Sequence, residues 1–338
     1  MFAFILLTQG LLNHYGIRLV AILNDCSVTV HIAGVALVVL ALFFLAPKQP
    51  VAFLFDAVNS DGRSPYGWAF VLGLLQAMWT YTGFDASAHM AEETRDPRRR
   101  APWGIALSVA VSGVAGYFLL VALTLGIRSI PAVLAAKDAQ GDQIPAVLAI
   151  LQTALGAKAG NAMAALASMA MWFCGVACIT SASRALYSLA RDHGMPLAEQ
   201  VRWVSPRHGT PAPAIWLIVA ASMAAMLWTK AAPVVTSLST VALYLAYTIP
   251  IALAWRARQT GSDWPRQAVW SLGRFGAPLN VMAIVFAAFI CVVLIMPPNE
   301  LAGETLAGLL VGLGVSYFVV VRKRFKGPDW SRHGEESP

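Results

Sequence analysis

Apolar runs of close to twenty residues recur along this chain, separated by short loops that hold most of its bases. A helix needs roughly 20 apolar residues to cross the hydrocarbon core of a bilayer. Only helices and closed barrels satisfy their own backbone there, so the pattern predicts an all-α, multi-pass membrane protein. Soluble domains carry about a quarter charged residues; this chain carries 12%, with 58% hydrophobic. The spans predicted from the runs are 1–12 (partial), 28–46, 66–91 (interrupted), 102–127, 160–183, 212–228, 234–255, 278–296 and 303–321. They form one transmembrane domain over 1–325, of about eight full spans plus the partial first one, followed by a cytoplasmic tail, 326–338. The stretch "IPAVLAILQTAL" is too short to span and is expected to lie on the membrane surface.

The bases test this layout. Of the 24 Lys and Arg, 18 fall in loops on one side of the alternating path and 6 on the other. Basic loops stay in the cytoplasm, which places 92–101 and 184–211 inside and 128–159 outside. The net charge of +7 thus reads as topology, and no nucleic-acid partner is expected. In a cysteine-free chain, single cysteines placed at Arg98 and Lys137 should label from opposite sides of the membrane. Labelling from the same side would overturn the map.

One span carries chemistry. After fifteen uncharged residues, 66–80, comes "YTGFDASAHMAEETRDPRRR". Asp85 follows Gly83 at a depth where a charge costs ~3 kcal/mol or more, so it is expected to face a cavity or a partner. Thr80, Tyr81 and Thr82 offer hydroxyls beside it. Unwound backbone in a bilayer is tolerated only where it is buried in protein or lines a water-filled cavity, and there its amides and carbonyls are ready ligands. The alternative is a helix that merely ends at Gly83, with Asp85 already at the interface.

From here the sequence resembles a family. "YTGFDASAHMAEETRDPRRRAPWGI" looks like the broken sixth helix and following loop of permeases of the amino acid–polyamine–organocation superfamily. "GFDASAHMAEET" is nearest to the amino acid/choline branch, which includes GABA permeases. "LTQGLLNHYGIRLVAILNDCSVTVHIAGV" is similar to that branch's helix 4–5 region, and "SASRALYSLARDHGMP…RHGTPAPAI" to its helix 8–9 linker. The resemblance covers about residues 7 to 325. It implies an inverted-repeat fold of the LeuT type, with 28–46, 66–91, 102–127 and 160–183 matching helices 5 to 8 and the last four spans matching helices 9 to 12. Equivalents of helices 1–3 and most of helix 4 are absent from the match.

The resemblance also implies a function: secondary active transport of an amino acid or related amine such as GABA, by alternating access with proton coupling, in a bacterial inner membrane. The rival expectation is a non-transporting remnant that serves as a structural or interaction module. The substrate site is expected at Thr80, Tyr81, Thr82, Gly83, Phe84 and Asp85. Ion coupling is expected at His31, at a helix 5 position where many proton-coupled relatives carry lysine, and at Thr180, Ser181 and Ser183 near the end of the helix 8 equivalent. The bland alternatives are an interfacial His31 bonded to a carbonyl and hydroxyls bonded back to carbonyls one turn earlier. Either a proton or sodium would accompany the substrate, and the sequence does not fix the oligomeric state.

Other positions carry less. Glu92, Glu93 and Arg95 to Arg100 read as an interfacial collar with an inside-positive anchor, and a cytoplasmic gate is the alternative. His89 sits one turn after Asp85 and is a candidate partner for it. Cys174 and Cys178 share a helix face but have no His or acid in the adjacent turns, so they read as small packing residues and no metal is expected. No hydrolase, metalloprotease or nucleotide-binding pattern stands where its mechanics would work. No enzymatic activity and no cofactor are expected.

Overall fold

A computed structural model describes residues 2–57, 65–138, 140–227, 231–261, 269–297 and 299–325. The 326–338 tail lies outside the described residues, except that the chain is followed to Phe325. Apart from an isolated bridge between Lys137 and Gln143, every regular element described is helical. In order they are α1 (Phe2–Tyr15), α2 (Ile17–Leu45), α3 (Tyr66–Thr80), α4 (Ala86–His89), α5 (Pro97–Leu125), α6 (Ile130–Leu134), α7 (Ala146–Leu155), α8 (Ala157–Arg191), α9 (Ala198–Val201), α10 (Ala212–Ala225), α11 (Ala231–Gln259), α12 (Gly276–Ile295) and α13 (Glu300–Ser316). Single 3-10 turns and a closing π turn, Tyr317–Val321, punctuate them.

Among the described residues six helical stretches are long and apolar enough to span: Arg18–Leu45, Pro97–Leu125, Ala157–Arg191, Val234–Gln259, Gly273–Ile295 and Glu300–Arg324. Most of their surface is not covered by protein, as expected where lipid is the neighbour. Two of the sequence-predicted spans do not reach that length. The stretch 66–91 is a 15-residue helix, an unwound turn and a four-residue helix. The 212–228 run holds a 14-residue helix, about 21 Å at 1.5 Å per residue, short of the ~30 Å core.

Sequence explains where several helices stop. Ala46, just before Pro47, is extended (φ −88°, ψ 143°), because proline's ring disfavours the helical region for the residue before it. Met296 before Pro297 behaves alike (φ −83°, ψ 164°). The start of α2 lies eleven residues before the predicted one. Asn24 and Asp25, read as loop, prolong the helix instead, since a polar residue does not end a helix that can run on beyond the bilayer.

The chain divides into two compact units. The first comprises residues 1–69 and 108–178. Its core joins Leu42 of α2 and the following Ala46, Leu123 of α5, and Ile150, Leu151 and Ala154 of α7, with Met163 of α8 packed against them. This corrects the expectation for α7, whose apolar face is buried in protein rather than laid on lipid. The turn into α8 requires Gly156, at φ 85° and ψ 157°, a region that essentially only glycine occupies.

In the same unit α1 is joined to α8 by polar rungs that the apolar reading of residues 1–12 missed. Gln9 Nε2 donates to the Trp172 carbonyl at 3.1 Å and Asn13 Nδ2 to the Val176 carbonyl at 3.2 Å. Both side chains are buried, and both acceptors lie on one face of α8, a turn apart. Gly175 makes the approach possible, since a Cβ there would lie 2.3 Å from Gln9 Nε2. Overpacking of this kind costs about 1–3 kcal/mol. A Gly175→Leu chain should therefore unfold at a lower temperature in detergent, and an unchanged midpoint would contradict the packing.

The second unit comprises residues 70–107 and 179–338. Here α11, α12 and α13 pack on one another, around Val241, Ile290 and Leu294, with Met78, Leu245 and Leu306 against them. A second small core joins Ala190 of α8, Ala198 and Val201 of α9, and Ala214 of α10.

Candidate functional site

The interrupted span lies in the second unit from Phe70 onward. α3 ends at Thr80, and α4 begins at Ala86. Between them Gly83 takes φ +84°, a left-handed conformation that costs an ordinary L-residue roughly 1–2 kcal/mol. The helical ladder lapses with it. Thr82 N–H donates to the Trp79 carbonyl at 3.2 Å, and Ala86 N–H to the Gly83 carbonyl at 3.1 Å, both in tight i to i+3 turns. The Thr82 hydroxyl donates back to the Trp79 carbonyl at 2.7 Å, so it serves the turn itself.

The break is held by a residue 162 positions away. The Tyr247 hydroxyl, on α11, accepts from Gly83 N–H at 3.1 Å and donates to Asp85 Oδ1 at 2.8 Å. The other carboxylate oxygen, Oδ2, meets His89 Nε2 at 2.9 Å, the pairing expected from the one-turn spacing. The Phe84 ring packs on the Tyr247 ring with centroids 4.4 Å apart. One turn away, the Tyr244 hydroxyl meets Met78 Sδ at 3.3 Å, fixing the end of α3 to the same helix. Gly104 of α5 leaves room for Ser87, whose Oγ would lie 2.6 Å from a Cβ there. Asp85 is thus engaged on both oxygens.

Beyond α4 the chain is tied to α8 by two ion pairs. Arg191 forms a forked pair with Glu92, Nη1 to Oε2 and Nη2 to Oε1, both at 2.9 Å. This hydrogen bond holds the Glu92 carboxyl below the usual glutamate range. A lowered carboxyl pKa contributes above the unfolded value and is lost as pH falls through the folded one, so the contribution of this pair is lost on acidification. Arg184 Nε meets Glu93 Oε1 at 3.1 Å, with the Arg184 side chain 9% exposed and that of Glu93 44% exposed. Arg184 Nη1 is buried with no hydrogen-bond partner. The adjacent glutamates therefore act across space on a two-turn-spaced arginine pair, which the collar reading did not foresee.

The residues expected to couple an ion fall in both units. In the first, His31 is exposed on α2, its Nδ1 2.7 Å from the Ser27 carbonyl and 3.2 Å from the Ser27 hydroxyl. A carbonyl only accepts, so Nδ1 carries a proton. In the second, Thr180 and Ser183 are buried, Ser181 is half-buried, and the Ser183 hydroxyl donates to the Thr180 carbonyl at 3.0 Å. Cys174 and Cys178, expected as packing residues, are both exposed. Among the described residues no cluster of His, Cys, Asp and Glu could hold a metal ion.

Comparison with known proteins agrees with this architecture. Residues 1–316 match the amino acid permease family. The chain is 30% identical to amino-acid permease BAT1 of Arabidopsis thaliana over 96% of its own length and 66% of that protein's. It is 32% identical to a putative amino acid/polyamine transporter of Macrophomina phaseolina, over 72% of this chain and 54% of the other. With a GABA-specific permease of Saccharomyces cerevisiae the identity is 26%, over 82% of this chain and 50% of the other. The chain spans 66% or less of the length of these relatives. It belongs to the amino acid permease family, within the amino acid–polyamine–organocation superfamily, and is an all-α, multi-pass integral membrane protein.

Proposed function

We propose that the protein serves secondary active transport of an amino acid or a related amine such as GABA, by alternating access and with proton coupling. The observation that carries this reading is the unwound turn at Gly83, kept open by the Tyr247 hydroxyl. A glycine-centred break inside an apolar span is stable only where it faces protein or water, and its backbone dipoles suit a zwitterion. Thr80, Tyr81, Thr82, Gly83, Phe84 and Asp85 would then form the substrate-facing segment of one permease domain over 1–325. The Asp85 carboxylate, already shared by Tyr247 and His89, would attract a substrate ammonium. The permease names of the relatives support the substrate class, and the relative named GABA-specific supports an amine at its small end.

His31, whose Nδ1 lies against the Ser27 carbonyl, is proposed for proton exchange, because an imidazole can both take up and release a proton. Thr180, Ser181 and Ser183 are proposed as hydroxyl ligands near the same stage of the cycle. A cell-surface or bacterial inner membrane is the proposed location.

Uptake of labelled amino acids and GABA into proteoliposomes, with an imposed pH gradient or a sodium gradient, tests the proposal. Accumulation driven by the pH gradient is expected. Accumulation driven by sodium alone would overturn proton coupling, and no accumulation of any amino acid or amine would favour the structural module.

A further inference from the structure

In the first unit, the segments just beyond α2 and α5 form an open pocket of about 240 Å3 lined by Pro47, Lys48, Gln49, Ile127 and Arg128. The obvious account of two bases at two helix C-termini is compensation of the last carbonyls, which carry the negative end of the helix dipole. At the end of α5 a neutral amide meets the carbonyls instead. Gln49 N–H donates to the Leu125 carbonyl at 2.8 Å, and Gln49 Nε2 reaches the carbonyls of Ile127 at 3.0 Å and Arg128 at 3.2 Å. Among the described residues no carboxylate pairs with Lys48 or Arg128. The pocket is thus lined by two cations with no carboxylate paired to either, held beside a neutral amide that bonds the carbonyls at the end of α5.

Its setting says what it would hold. Lys48 Nζ lies 3.9 Å from the Phe43 ring centre, and Phe43, Phe44 and Leu45 just below it are exposed. An ammonium standing directly above lipid-facing aromatics is at headgroup height. The charge count assigns only 6 of the 24 bases to this side, so two meeting in one cavity are not part of a general basic field.

We propose that this cavity binds a phosphate anion, and that its source is the headgroup of an anionic phospholipid, with the acyl chains lying along Phe43, Phe44 and Leu45. Lys48 and Arg128 supply the charge, and the Gln49 hydrogen bonds hold the two chain segments together. The site lies wholly in the first unit and does not rest on the transport reading.

Native mass spectrometry of the purified full chain tests it, with phosphatidylglycerol and phosphatidylcholine added in parallel. The intact protein should retain phosphatidylglycerol in preference to phosphatidylcholine. The Lys48→Gln/Arg128→Gln double variant should lose that preference by roughly tenfold, whereas Lys137→Gln/Lys158→Gln, on the same predicted side, should keep it. Inorganic phosphate added at millimolar concentration should not displace the lipid. Equal retention of the two lipids by the intact protein, or an undiminished preference in the double variant, would overturn the site. Full displacement by inorganic phosphate would overturn the lipid as its source. The comparison of two lipids on the unmutated chain needs no variant to fold.

Discussion

Gly83→Leu should abolish uptake while leaving the amount of protein in the membrane unchanged. No atom lies within 4 Å of the position a Cβ would take at Gly83, so the substitution meets no clash. Its cost is conformational, since φ +84° is a region that leucine enters at roughly 1–2 kcal/mol. Leucine is also among the better helix formers, so the cheapest relief is to rewind the turn and join α3 to α4. Rewinding withdraws the Gly83 N–H from Tyr247 and swings Asp85 away from the hydroxyl that holds it. Insertion depends on the hydropathy of the whole span, which leucine raises. Uptake and surface labelling measured on the same cells separate the two effects. Asp85→Asn makes the complementary test: an amide keeps an oxygen for Tyr247 but discards the charge, so uptake should fall further than insertion. Normal uptake by both variants would return the segment to a simple interfacial helix end.

How far these features are legible in the sequence differs residue by residue. The break was legible because Gly83-Phe84-Asp85 interrupts an apolar run, a local pattern that needs no distant partner to be read. Tyr247 was not. In "ALYLAYTIPIALAW" it reads as one more aromatic in a span, and only the fold brings α11 beside residue 83. The charge asymmetry and the long apolar runs gave the all-helical, multi-pass architecture, because hydropathy acts through composition and needs no partner. The exact ends of α2 and α8 were harder, since a helix continues into the aqueous region wherever no proline or glycine stops it. Gln9 and Asn13 did leave a signal that could have been used. Two amides one turn apart in an apolar helix are costly unless they meet a partner, and their carbonyl partners on α8 are that explanation. Likewise, Arg184 and Arg191 are two turns apart on one face, a spacing suited to the adjacent Glu92 and Glu93, but nothing local says that the two segments meet.

The pair formed by Glu93 and Arg184 should respond asymmetrically to mutation. Its two ends differ in exposure: the Arg184 side chain is 9% exposed and that of Glu93 44% exposed. Glu93→Ala leaves a buried guanidinium without its counter-charge, and Arg184 Nη1 already has no partner. Breaking a buried pair from that side costs about 3–5 kcal/mol, lowered here to the extent that water reaches the vacated carboxylate position. Arg184→Met instead leaves a carboxylate that water can reach, and fills the buried volume with an apolar chain of similar length. Its cost should be the smaller of the two. The double variant Glu93→Ala/Arg184→Met should recover most of the stability that Glu93→Ala loses, because the desolvated charge is gone. Thermal unfolding of the four proteins in one detergent gives the coupling directly. Equal losses for the two single variants, or strictly additive losses in the double, would mean that the pair is a surface contact and not a buried clasp between the post-break segment and α8.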